Sequence, residues 1–475
     1  SGAANTSLAL AGALAVALVK VATTATITGD LQLIDVATGA SGRADVAVTA
    51  TTRNAVTTSA DPGTPAGTAT NGVGTSVALT VVDVDTAAQL AANAGISGLR
   101  HLRVAAASHS TASTEALGGS NGTSLALAGA TAIAVATERT TAIIGAANSA
   151  LLASGNVVVE AEQIAPVKTT ARGAAESGDA AVGVVISLAF VDHRVTATTA
   201  RDITAEGTIT IRVTGASSTV TLAEATAGGA PGENTASPGQ PAAGQPSATD
   251  SLESARGFAA GAAGGASAVP ASLPKPTTPN GTVTVAAALA VTIHNTVADA
   301  SVSGVTLTAS AVTLSARHHD IADSTASGQP DNRGPPSTVT IAAGIAITVV
   351  DVTIAATAGA GTTIHTTALT LSAGVGTTDA EENPATAHRF AATSIAGAGN
   401  GGTLGLAGSL AILVASIDTS AKLLAGANVE IAPGGSLAIA ADSAATSTAT
   451  AHVAGEAGGL TVGVGASVAT AVIDH

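Results

Sequence analysis

The sequence predicts an all-β chain: a repetitive β-solenoid, parallel β-helix-like, with a Pro/Gly-rich inserted loop. Three observations carry that expectation. Thr6–Ala13 and Thr123–Ala130 are the same eight residues, TSLALAGA, and softer copies begin near Thr75, Val182, Thr282, Thr338, Thr403 and Leu460. Recurrence of this kind marks one supersecondary unit stacked many times. The 475 residues include no Cys, Met, Trp or Tyr and only three Phe, yet 46% are hydrophobic. A single deep core would use aromatics and Met as large fillers, whereas stacked coils bury thin faces on one another. Finally, Val157–Ala161, Leu369–Ala373 and Val429–Ala432 alternate with period two, and enrichment in Val, Ile and Thr with that alternation is the strand pattern.

Each unit opens on a small, apolar strand, as in Ser124–Val135, Thr282–Ile293, Thr338–Val349 and Thr403–Val414. A polar interruption follows at Asp83, Glu138, Asp192, His294, Asp351, Asp418 and Asp474. A second strand continues, as in Thr140–Ile144 or Thr353–Thr357, and a Gly/Asn turn leads to the alternating third strand. An Ala/Thr/Ser stretch such as Ala445–Ala457 closes the unit. Ala-rich segments like Ala87–Ala94 have the composition of short helices, but recurrent Gly and Thr and the scarcity of i, i+4 charge pairs favour strands. Units of this length make either one wide coil of three or four strands or two narrower coils. A string of small β-sandwiches would need a buried aromatic anchor per domain.

The repeats occupy residues 1–227 and 281–475. Between them, 228–280 holds eight of the sixteen prolines, a density that blocks ladder pairing. It reads as an inserted loop, at least partly disordered, with smaller counterparts at Asp61–Asn71 and Gly328–Pro336. The chain starts at Ser1 and stops early in a repeat, so it reads as a slice of a longer polypeptide or a processed chain.

A net charge of −15 and a pI near 4.9 argue against a nucleic-acid partner, which needs a basic patch. They suit solubility outside a cell, and the lack of Cys permits an oxidising setting without requiring it. The longest apolar runs, Leu8–Val19 and Ile341–Val350, fall short of the roughly 20 residues of a membrane helix. Three Phe cannot build the aromatic girdles of a membrane barrel, so no membrane span is expected.

The densest polar cluster is His318, His319 and Asp320 with Asp323. Imidazole and carboxylate are ligand types for zinc or another divalent ion. Adjacent residues on a strand point to opposite faces, however, and the cluster reads better as a solvated turn after a third strand. The acidic residues of the polar interruption, stacked at one corner, are a possible calcium ladder, since close like charges need a bridging cation. The plainer reading is a solvent-facing corner. Gly397, Gly399 and Gly402 match a dinucleotide pattern but sit at a unit-starting turn with no following helix. No triad or nucleophile elbow is present, so no catalytic or cofactor-binding residues are expected, and the chain is not expected to be an enzyme.

The Thr-Ser-Leu-Ala-Leu-Ala-Gly openings and the Gly155–Ala161 strand resemble the very large β-strand-repeat surface proteins of bacteria, similar to filamentous-haemagglutinin-type adhesins. The resemblance covers most of the chain outside the Pro-rich insertion and rests on compositional motifs. It implies secretion, a rod or filament at the cell surface, and adhesion or cell–cell contact. The expected function is a structural segment of an extracellular surface fibre, sheath or filamentous adhesin, self-associating through β-strand stacking. The alternatives are a ligand- or lipid-binding module using an apolar solenoid face, and a polysaccharide-acting enzyme on a β-helix. The scattered charges do not favour the enzyme.

Overall fold

The alternating segments fold into strands longer than the sequence pattern suggests. The computed structural model describes residues 7–34, 43–63, 69–228, 283–331, 338–376, 386–397, 402–454 and 460–474. Among these the chain is all-β, without helix, in stacked parallel sheets consistent with a β-solenoid.

The first sheet has eight strands in the order β1 (Leu8–Ile27), β4 (Asn71–Leu90), β7 (Leu125–Ile144), β10 (Ala180–Thr199), β13 (Val283–Val302), β15 (Val339–Ala358), β18 (Gly402–Leu423) and β21 (Leu460–Asp474). All its pairings are parallel. The second sheet runs β3 (Ala44–Ala60), β6 (Leu99–Gly122), β9 (Val157–Ser177), β12 (Thr208–Gly228), β14 (Thr306–Asp331), β16 (Thr363–Val375) and β19 (Asn428–Asp442). Alongside the far end of β14 lie β17 (His388–Gly397) and then β20 (Ala445–Ala454). Short strands β2 (Leu31–Gln32), β5 (Ile96–Ser97), β8 (Leu151–Ala153) and β11 (Ile203–Ala205) carry the chain between sheets.

Each coil is therefore one wide turn built from two long strands. The predicted opening and second strands are a single strand, as in the 20-residue β7, and the polar residues between them do not interrupt it. Ala87–Ala94 holds no helix: β4 runs through Leu90 and a turn follows. Residues 229–282 lie outside the described residues, so the large predicted insertion does as well, apart from Gly228 at the end of β12. The smaller predicted loops are shorter than expected, since Gly328–Asp331 belongs to β14 and Asn71 opens β4.

The gap between the sheets is a wedge. At the wide margin Leu90, Leu102, Ile144, Ile209, Ile211 and Leu314 are fully buried. At the narrow margin the backbones nearly touch. A methyl group on Gly74 would overlap the Gly119 carbonyl oxygen, and one on Gly118 would overlap that of Gly129. Little room is left there, so the first half of each first-sheet strand turns mostly small residues inward, such as Ala126, Ala128, Ala130 and Ala132, with Val185 the largest of those on β10. Hydroxyls stitch the sheets at intermediate depth: Thr80 to Thr58 at 2.8 Å, Thr114 to Thr80 at 2.6 Å, Thr86 to Thr52 at 2.7 Å and Thr292 to Thr221 at 2.7 Å. A buried hydroxyl is costly unless paired, and threonine supplies its own partner across the gap in no more volume than valine.

Candidate functional site

Strand β14 carries all four predicted site residues, and its alternation divides them. His318 and Asp320 point into the gap between the sheets and are fully buried. His319 and Asp323 lie on the other face, where His319 Nε2 is 3.0 Å from the Ala387 carbonyl oxygen and Asp323 pairs with Arg389 at 2.6 Å. The expectation of a solvated turn is thus corrected. The segment is interior strand, because period-two register continues through it. The sheet separates the four side chains, and among the described residues no group of three or more His, Asp or Glu is arranged to hold a metal ion.

What the fold assembles instead is a buried imidazole–carboxylate cluster. Asp320 Oδ1 accepts hydrogen bonds from Ser217 at 2.6 Å and Thr296 at 2.7 Å and lies 3.0 Å from His294 Nε2. His318 Nδ1 is 3.0 Å from Asp320 Oδ2. His388 Nδ1 accepts the Asp320 backbone N–H at 3.1 Å and stands 3.3 Å from Oδ2. Thr219 reaches His294 Nδ1 at 2.8 Å. Burial alone would raise the Asp320 carboxyl, but its electrostatic interaction with His318 and its close contacts with the imidazoles of His294, His318 and His388 outweigh it and hold the group well below the usual carboxylate range. Next to the cluster, the His193 ring packs edge-on against His294 with centroids 5.8 Å apart. Burial, then the neighbouring imidazoles, push His193 well below its ordinary value. Both of its ring nitrogens, with Nε2 of His318 and of His388, are buried without a hydrogen-bond partner.

Sequence reasoning placed His294 only in the polar interruption and missed His193, His388, Ser217 and Thr296, which lie far apart along the chain. A signal was available in the aligned copies. Glu138, His193 and Thr296 occupy one register position of the first sheet, all inward and buried.

Glu138 is the acidic end of the same interior row. Gln163 donates to its Oε2 at 3.3 Å. Burial raises its pKa to about 7, against the opposing hydrogen bonds of Ser110 and Gln163. Because the native value is raised, its contribution to stability is complete below the unfolded value of 4.5 and is lost as pH rises to about 7. Glu138→Gln should therefore stabilise the chain above neutrality by up to roughly 3 kcal/mol and change little near pH 4. Urea midpoints of both proteins at the two pH values check this; an equal shift at each would count against it.

The two outer surfaces of the solenoid differ sharply. The second sheet shows water Thr, Ser and charged side chains, with Arg100 paired to Asp45 at 2.8 Å and Glu160 held by Arg103 and Arg212. The first sheet turns its large aliphatics outward, because the narrow gap admits only small ones. On β10, Val182, Val184, Ile186, Leu188 and Phe190 face out while Ala181, Gly183, Val185, Ser187 and Ala189 face in. On the outermost strand β1, Leu10, Leu14 and Leu18 are 71%, 74% and 72% exposed.

The aliphatic rows stop at one polar row, in register Lys20–Asp83–Thr137–Asp192–Asn295–Asp351–Ser416–Asp474. The residues of the polar interruption do not all stack in this row. Glu138 and His294 are buried on the opposite face, and Asp418 pairs with Thr353 in the next outward row. The aspartates that remain alternate with neutral residues, about 9.6 Å apart, and Asn295 donates to Asp192 at 2.8 Å. Along this row no contact between like charges calls for a bridging calcium. No protein-family model, curated protein or solved structure matches the chain.

Proposed function

We propose that the chain is a structural segment of an extracellular bacterial surface fibre, sheath or filamentous adhesin. The observation supporting this reading is the in-register parallel ladder, in which eight strands of one sheet succeed one another without a shift. A ladder of this kind transmits load along the stack, since every coil is hydrogen-bonded to the next along two long strands. Among the described residues β1 pairs only with β4 and β21 only with β18. Each offers a free edge to a further coil, supplied by another copy or by more of the same repeat.

The register tells which groups of β21 are free. Row-opening residues donate their N–H to the preceding coil: Leu125 to Thr70, Ala180 to Ser124, Val283 to Asp179 and Leu404 to Thr338. The alternate residues, Ser467 among them by the pairing of Leu404 with Val462, therefore point their N–H away from β18. Concentrated protein viewed by electron cryomicroscopy is expected to form filaments with an axial repeat of about 4.8 Å, and Ser467→Pro should shorten or abolish them. Rods of one fixed length at every concentration would sink the stacking reading. A second reading, a module that binds a lipid or apolar ligand, is favoured by the aliphatic outer face. Its test is whether that face takes up such a ligand as a monomer.

A further inference from the structure

The outer aliphatic face of the eight-stranded sheet is the largest feature that the ladder does not use. We propose that it pairs with the same face of a second copy, strands antiparallel, to give a face-to-face double solenoid. This pairing is lateral and does not depend on end-to-end stacking.

Extent is the first argument. The outward rows from the register position of Leu8 to that of Leu18 are apolar across the eight strands except at Asn71, Thr75, Thr131 and Thr470. That is roughly 33 Å by 34 Å, or about 1,100 Å² per copy. The largest apolar patch on an ordinary monomer is about 300–600 Å², and a stable interface needs about 800 Å² per partner. All-parallel sheets are also normally covered on both faces; among the described residues this one is covered only on the inside.

Relief is the second. The row through Gly12, Gly129, Ala287, Ala343 and Gly408 is low. It forms a furrow, filled at Thr75 and Val184, between ridges that pass through Leu10 and Leu14. A matching sheet can seat a ridge in that furrow and exclude water, as packed sheets do.

Charge selects both the occupant and its orientation. With strands parallel, the Asp83, Asp192, Asp351 and Asp474 rows of the two copies would face each other. With strands antiparallel, each row falls past the opposite margin of its partner, about 46 Å from its counterpart. A bilayer fits less well. The chain has no Trp or Tyr and a net charge of −15, and its acidic row would border the headgroups, where membrane-facing surfaces place aromatic and basic residues.

The test is sedimentation equilibrium of the whole chain at micromolar concentration. A dimer is expected, and the double variant Ile186→Glu with Leu289→Glu should associate about a hundredfold more weakly or not at all with an unchanged far-ultraviolet spectrum. Ser467→Pro should leave the dimer intact while removing filaments, which separates this proposal from end-to-end stacking. A monomeric wild-type chain, a dimer that survives both glutamates, or a dimer lost only in Ser467→Pro would overturn the proposal. If the glutamate variant fails to fold, labelling decides, because the chain has no native cysteine. A nitroxide on Ile186→Cys should report a short distance to its counterpart, and one on Ser218→Cys, on the polar outer face, should not. The reverse pattern, or flotation of monomeric chain with phosphatidylcholine vesicles, would overturn it.

Discussion

Gly74→Ala, the addition of one methyl group, is expected to open the narrow margin of the solenoid, at a cost of about 3 kcal/mol or more. The new Cβ would overlap the Gly119 carbonyl oxygen, and backbone cannot rotate aside as a side chain can. Relief requires moving β4 away from β6, and both are bonded to the coils on either side. The strain should therefore spread to β7 and β9, as it does wherever repeats are coupled to their neighbours. Hydrogen exchange strand by strand is the suitable readout, because a stack of coils need not unfold in one step. The control is Gly408→Ala in the furrow of the outer face, where nothing lies within 4 Å of the added carbon. There the substitution should be neutral or slightly stabilising. If both variants behaved alike, the close approach of the sheets would not be what demands glycine at position 74.

Asp320→Ala should be the most damaging single change in the interior, destabilising the chain by about 3–5 kcal/mol. It strips Ser217 and Thr296 of their acceptor and leaves three imidazoles around an empty position. Polar groups left unpaired in a dry interior carry their full desolvation cost. The cluster should also make the chain acid-sensitive, through two groups that act in the same direction. The carboxyl of Asp320 is held below 3.8, so its contribution is present above that value and is lost as pH falls through the lower native one. His193 is held below 6.5, so its contribution is complete above 6.5 and is lost as pH drops beneath it. Glu138 works the opposite way between 4.5 and about 7, and a Glu138→Gln background removes its part. In that background, urea midpoints should fall as pH drops below 6.5, where the His193 contribution is lost, and fall again below 3.8, where that of Asp320 is lost; His193→Phe should flatten only the upper limb. A midpoint independent of pH from about 6.5 to about 4 would show that His193 does not matter to stability, and one that stays level below 3.8 would show the same of Asp320.

The sequence by itself determined the strand content, the repeat and its starting points. Octapeptide identity and period-two alternation are local properties, and backbone sterics with a β-branched side chain already favour extension. The eight copy positions near Thr6, Thr75, Thr123, Val182, Thr282, Thr338, Thr403 and Leu460 lie close to the starts of β1, β4, β7, β10, β13, β15, β18 and β21. Alternation even placed His318 and His319 on opposite faces. Which face was inside it could not say, since a strand of alternating large and small residues can bury either set. The usual expectation that large aliphatics go inward fails here. The gap between the sheets is set by glycine backbones in other coils, and these leave room only for alanine behind Leu125, Leu127 and Ile133. The tertiary structure alone decided that reversal, and with it the aliphatic outer face. It alone also brought His193, His294, His318 and His388 together around Asp320, because the register of strands separated by up to about two hundred residues fixes those neighbours, and no local pattern encodes them.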